Sequence, residues 1–213
     1  MMARRSAALM QLAAMLFAIL TGIAMAVYPG YRFSDQFLSE IGATHHGTAA
    51  ALFACALVIL GLAMVVFAAA WRDYAFGRGR ARWLGRASQL CGTLSGLAFV
   101  VAACTPIDIA LALHNAVVVA AFGLLLAYVA TTTILWACNG APLGVLVAGA
   151  AYATVLTVYF GAVGWAVRNG LLDHIRVVIV GQKIVVGASL AYIVYMTMII
   201  RRWARVPAAR ARL

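Results

Sequence analysis

Acid is scarce in this sequence. Its 213 residues include five aspartates and glutamates, four histidines, four prolines and four cysteines, and only one residue in ten is charged. A soluble domain carries about a quarter charged residues, so this chain has no polar coat to turn toward water. There is no C-x-x-C spacing, so the common zinc and thiol-redox motifs are excluded. No G-x-S-x-G or H-E-x-x-H occurs either, which removes the usual signatures of serine and zinc hydrolases. No linker of low complexity divides the chain, and its halves show no repeat.

What it does have is oil. Hydrophobic residues make up 66% of the chain, and the mean hydropathy is +1.02. Six long, predominantly apolar runs, about 7–27, 48–71, 84–104, 106–136, 143–166 and 174–200, are each long enough to span a bilayer. Hydrocarbon cannot hydrogen-bond the backbone, so such runs are expected to be helices. The expected fold is all-α: one polytopic domain over residues 1–213, a bundle of six transmembrane helices.

Arginine sets the orientation. Arg4 and Arg5, then Arg72, Arg78, Arg80, Arg82 and Arg86, then Arg201, Arg202, Arg205, Arg210 and Arg212 fall on one side of the six runs. Only Arg32, Arg168 and Arg176 fall on the other, so both termini are expected in the cytoplasm of a cell with an inner (plasma) membrane. The formal charge of +11 is then a topology signal with some attraction to anionic headgroups, and no nucleic-acid partner is needed. Arg4-Arg5, an apolar run and Ala24-Met25-Ala26 loosely match a cleaved signal peptide, but the run exceeds the usual length and an uncleaved first helix is expected. The cysteines, Cys55, Cys91, Cys104 and Cys138, read as small packing residues.

This topology gathers the titratable groups outside. Asp35, Glu40, Asp108 and Asp173 lie on or beside the outer connections, with all four histidines, His45, His46, His114 and His174; Asp73 alone is inside. Many have plain structural explanations. In "SDQFLSEIG" Ser34 would cap a short outer-loop helix along the membrane surface, with Phe37, Leu38 and Ile41 as its apolar stripe and Gly42 at its end. Pro29-Gly30 reads as a turn, and Tyr28 and Tyr31 suit an interfacial aromatic belt. "TPID" reads as a helix start, with Thr105 as cap, Pro106 in the first turn and Asp108 closing a capping box. Asp173 would likewise cap the sixth helix. His45 and His46 are consecutive, so a helix would splay them by about 100° and they suit one metal poorly.

Two residues resist such explanations. If the fourth helix starts at Pro106 and the sixth at His174, His114 and Lys183 both lie roughly 12–14 Å deep at 1.5 Å per residue. Both would approach the middle of a core about 30 Å thick. A charge there is expensive and is read by default as functional, with a partner inside the bundle. That partner must be an anion or a set of carbonyls. No carboxylate is expected at that depth; Asp108 or a re-entrant Glu40 are the nearest candidates by elimination, and Gln182 and Asn115 add amide hydrogen bonds. A structural polar clamp between helices is the competing explanation.

"YPGYRFSDQFLSEIGA", "TPIDIALALHN" and "GQK" together resemble the prokaryotic membrane family known as domain of unknown function 998. That family carries P-G-Y…S-x-L-G in an outer loop, P-x-D…H at the next outer turn and Gln followed by a basic residue in the last helix. Ile41 stands where Leu is usual. The resemblance marks Ser39, Gly42, Asp108, His114, Gln182 and Lys183. A more distant resemblance is to the CREST membrane hydrolases, including alkaline ceramidases, which hold zinc with three histidines beside a Ser and an Asp. The late H-x-x-x-H pair is missing here, and the six runs compare with seven typical spans.

The leading functional expectation is an outward-facing polar pocket that binds or presents an amphiphile, with Glu40, Asp108, Asn115 and Gln182 as ligand-binding residues. Small residues in "GTLSGLA" (92–98) and "GAVG" (161–164) would allow close helix packing, and the cytoplasmic half offers no polar path for pumping. The alternative is a hydrolase of lipid-linked esters or amides at the outer leaflet. It would use Ser39, His114 and Lys183, or a zinc ion on His114, His174, Asp108 and His46. A third is an assembly or regulatory subunit with a membrane-protein partner.

Overall fold

The computed structural model describes residues 2–70, 82–171 and 176–203. Asp73, Asp173, His174, Arg72, Arg78, Arg80, Arg205, Arg210 and Arg212 lie outside them, and so does the expected capping of the last helix by Asp173. The chain is all-helical: α1 (Met2–Val27), α2 (Thr48–Ala70), α3 (Arg82–Ala103), α4 (Leu111–Cys138), α5 (Leu143–Arg168) and α6 (Arg176–Trp203). Each helix packs on the next, and α6 returns to α1, closing a six-membered ring.

By length and composition, five of these helices can cross a membrane. The exception is α3, whose sequence includes Arg82, Arg86, Ser88, Gln89, Thr93 and Ser95. Its most polar interior positions are satisfied within the ring. Ser88 and Ser95 are fully buried; one bonds Thr132 at 2.6 Å and the other donates to the Ala121 carbonyl at 2.7 Å.

Glycine sets how closely α2, α3 and α4 approach. A Cβ on Gly61 would stand 2.6 Å from the Gly96 carbonyl oxygen, and one on Gly96 equally 2.6 Å from that of Gly61. Gly92 similarly admits Tyr128 and Ala68. The small residues of 92–98 therefore do bring helices together. Those of 161–164 do not, because a Cβ on Gly161 or Gly164 would meet nothing within 4 Å. Cys55, Cys104 and Cys138 are exposed on the outer surface instead of packing inside, and only Cys91 is half-buried.

The ends of α4 and α5 are built alike. Asn139 and Asn169 each turn their side-chain amide back to a carbonyl four residues earlier, at 2.7 Å. Gly140 and Gly170 follow in the left-handed region, φ +71° and +65°. The next N–H groups, of Ala141 and Leu171, then reach five residues back to Trp136 and Ala166 at 3.0 and 2.9 Å, closing Schellman-type ends.

The α1–α2 connection differs from the helix expected along a surface. Pro29-Gly30 does make a turn, with Gly30 at φ +74° and the Tyr31 N–H on the Tyr28 carbonyl at 3.3 Å. Beyond it the chain forms two short 3₁₀ turns, Leu38–Gly42 and Thr44–His46. Leu38 and Ile41 are 4% and 0% exposed, so the first turn is sunk into the end of the ring against α2 and α6. Ser34 does not cap it; its hydroxyl donates to Asp35, and Glu40 instead accepts the Phe37 N–H at 2.6 Å. Tyr28 is buried and Tyr31 half-buried, edge to face at 5.5 Å, so both pack beneath this connection and form no aromatic belt.

Candidate functional site

The site lies where the sunken connection meets α4 and α6, and Gln182 joins them. Its Oε1 accepts the Leu38 N–H at 2.6 Å, 144 positions away in sequence. A backbone N–H can only donate, so the amide is oriented with its NH₂ group left over.

His114 does not sit two turns into a helix starting at Pro106. Residues 105–110 form a separate turn, with the Ile109 and Ala110 N–H groups on the Pro106 carbonyl at 3.2 and 3.0 Å. The helix starts only at Leu111, so His114 is in its first turn. Pro106 cannot donate, and the chain before α4 folds back on itself. That turn buries Thr105 against the end of α3, where its hydroxyl donates to the Val101 and Ala102 carbonyls instead of capping α4. The Thr105 carbonyl in turn takes His114 Nδ1 at 2.6 Å. His114 is 5% exposed, and its Nε2 is buried without a hydrogen-bond partner.

His114, Gln182 and Ser39 meet at the wall between two cavities. One, about 80 Å³, lies in the ring interior against Phe17, Leu57, Phe99 and Val186. The other, about 200 Å³, is a groove between α4, α5 and α6 that contains Asn115. Leu111, Val119 and Val167 on this groove are more than half exposed, so it opens sideways from the ring. A smaller cavity of about 40 Å³ continues toward the far end and shares Met10, Met64, Leu125 and Ile193 with the first.

Lys183, one residue past Gln182, is 8% exposed and lines neither of the first two cavities. Its ammonium donates to the Gln36 carbonyl, and to the Ile179 carbonyl at 3.2 Å. It lies 5.1 Å from the Phe33 ring centroid and 6.0 Å from that of Tyr31. Carbonyl dipoles, one of the two kinds of partner expected at its depth, together with aromatic faces hold the ammonium in place of Asp108 or Glu40. Glu40 acts on it only as a nearby charge. The connection comes down to the lysine, a position that helix counting could not supply.

Asp108 faces another way. Its Oδ2 accepts the Thr44 N–H at 2.9 Å, the Thr44 hydroxyl at 2.6 Å and His45 Nδ1 at 3.3 Å. These bonds, the Thr44 hydroxyl foremost, hold its carboxyl well below the usual carboxylate range. His46 stacks on Tyr28 with centroids 3.8 Å apart, and burial, then His45, pushes its pKa down. Burial and then the Glu40 charge push the Tyr31 phenol up to about 12. Among the described residues no three His, Cys, Asp or Glu side chains come together to hold a metal ion, so His114, Asp108 and His46 do not form one group. His174, the other expected zinc ligand, lies outside them.

Sequence reading missed a hydroxyl layer in the far half of the ring. The Tyr152 hydroxyl bonds Ser189 at 2.5 Å, and the Tyr152 ring stacks on Tyr192 at 4.7 Å. Near the ends of α1 and α6, Arg201 donates to Gln11 at 2.8 Å. Tyr, Ser and Thr inside apolar runs do carry this signal, but they reveal no pairing until the helices are placed.

The sequence model of a family described as "Protein of unknown function (DUF998)" matches residues 11–201. The chain belongs to this family. DUF998 here denotes a helical protein of the multi-pass membrane type, with five helices among the described residues long and apolar enough to cross a membrane. No curated protein matches the DUF998 chain, and neither does any solved structure. The likeness to CREST hydrolases therefore gains no support.

Proposed function

We propose that this protein binds an amphiphile through the side-opening groove, with the ligand's polar group at the His114–Gln182–Ser39 wall. One observation carries the reading: a fully enclosed histidine nitrogen lacks a partner in a residue that lines two largely apolar cavities. Lys183 contributes by holding the connection that supplies Ser39. In this reading all six helices cross the membrane. The 22 residues of α3 rise about 33 Å at 1.5 Å each, enough for a core of about 30 Å. The arginine distribution then puts both termini in the cytoplasm and the groove at the outer leaflet of the plasma membrane.

Native mass spectrometry of protein released gently from detergent tests the binding. An amphiphile retained by the unaltered chain and by Val147→Trp on the exposed face of α5, but lost from Val118→Trp between the cavities, is the expected pattern. A bare chain accompanied by a second polypeptide would overturn the reading in favour of an assembly subunit. Membrane-impermeant thiol labelling of Ser34→Cys in cells, in a cysteine-free background, tests the orientation; protection from the outside would reverse it.

One observation also favours a hydrolase. Ser39 and His114 line the same two cavities, and the Thr105 carbonyl orients the imidazole as a general base requires. Turnover of a lipid ester abolished by Ser39→Ala, with binding retained, would establish this second reading.

A further inference from the structure

The hydrogen bonds already made around the cavity wall determine which headgroup chemistry is still missing there. The Thr105 carbonyl can only accept, so the hydrogen of a neutral His114 sits on Nδ1 and Nε2 presents a lone pair. That acceptor has no protein partner and is sealed from solvent. Gln182 is committed through its carbonyl oxygen, which leaves its NH₂ group as donor on the same wall. Ser39 brings a hydroxyl able to do either.

With His114 neutral, charge complementarity disfavours an anion. Lys183 is spent on the Gln36 and Ile179 carbonyls, Arg176 pairs with Asp35, and neither lines the two cavities. An anionic headgroup at the wall would have no counter-charge and would face the Nε2 lone pair, and an unpaired charge in an apolar site is costly. A cationic headgroup fares no better, because Asp108 is engaged by Thr44 and His45, Glu40 accepts the Phe37 N–H, and neither carboxylate lines the two cavities. An uncharged group that offers an O–H to His114 and a carbonyl to Gln182 completes both hydrogen bonds.

We infer that the ligand is an uncharged, hydroxyl-bearing lipid with one acyl chain, its hydroxyl donating to His114 Nε2 and its carbonyl accepting from the Gln182 amide. A single chain suits the room available, about 200 Å³ in the side-opening groove and about 80 Å³ beyond the polar wall. This inference rests on the amphiphile-binding reading above and specifies its ligand.

The test is retention by the purified full chain, in native mass spectrometry, of four probes with the same oleoyl chain. These are 1-monooleoylglycerol, methyl oleate, oleate and oleoyl lysophosphatidate. Monooleoylglycerol is expected to be held about tenfold more tightly than methyl oleate, which has the carbonyl but no donor, since one buried hydrogen bond is worth about a factor of ten. The unaltered chain suffices for that comparison. In His114→Phe the two neutral probes should become equal while methyl oleate keeps its affinity, a pattern that mere unfolding cannot produce. Equal retention of the two by the unaltered chain, or preference for oleate or lysophosphatidate, overturns the inference and leaves amphiphile binding standing. Retention of none of the four overturns both.

Discussion

Asp108 accepts two hydrogen bonds from Thr44, 64 positions earlier, and so ties the α1–α2 connection to the α3–α4 turn. The folded carboxyl titrates below the unfolded one because those bonds favour the charged form. The tie is therefore complete above the ordinary aspartate value of about 3.9 and is lost as pH falls through the lower folded value. In a pH titration by NMR, the Thr44 amide resonance is expected to stay constant down to about pH 4, near that ordinary value, and to move only below it. Asp108→Asn should show no such step. A step at or above the ordinary value would contradict the bonding described.

Lys183 secures the connection more than it stabilises the ring. Lys183→Met removes the donor from the Gln36 carbonyl but also relieves the cost of burying an ammonium, so the two effects oppose each other in global stability. The expected result is about a tenfold faster proteolysis or hydrogen exchange over residues 31–38, the size of one lost hydrogen bond, with little change in Tm. A large fall in Tm with the connection still protected would show that the lysine serves the ring.

Gly96→Ala tests the closest helix contact. The new methyl would stand 2.6 Å from the Gly61 carbonyl oxygen, and backbone cannot yield as a flexible side chain can. A loss of about 1–3 kcal/mol in thermal or denaturant unfolding in detergent is expected, as for overpacked cores. Gly161→Ala, which meets nothing within 4 Å, should be neutral or slightly stabilising.

His114 should show the less common imidazole tautomer. With Nδ1–H held on the Thr105 carbonyl, nitrogen-15 spectra of histidine-labelled protein at neutral pH are expected to show one ring with a protonated Nδ1 and a bare Nε2. Thr105→Val keeps that carbonyl and the backbone N–H on the Ala102 carbonyl, and should preserve the signal. A ring protonated at Nε2 alone would remove the acceptor on which the headgroup inference depends.

Sequence alone determined the membrane-protein class, five of the six helix positions to within a few residues at most ends, and the family, and it singled out His114, Gln182 and Lys183 as candidates. Those features depend on composition and on helix length against bilayer thickness, and both are properties of consecutive residues. The later start of α4 was not legible, because "TPID" has the residues of a helix cap and only packing against α3 turns Thr105 backward. Nor was the partner of Lys183, since backbone carbonyls and aromatic faces leave no charge signature in sequence. The tertiary structure decided which polar groups are already satisfied. Hydrogen bonds between residues 64 or 144 positions apart occupy Asp108 and the Gln182 carbonyl oxygen, while the buried Nε2 of His114, a residue on the wall of both cavities, has no partner.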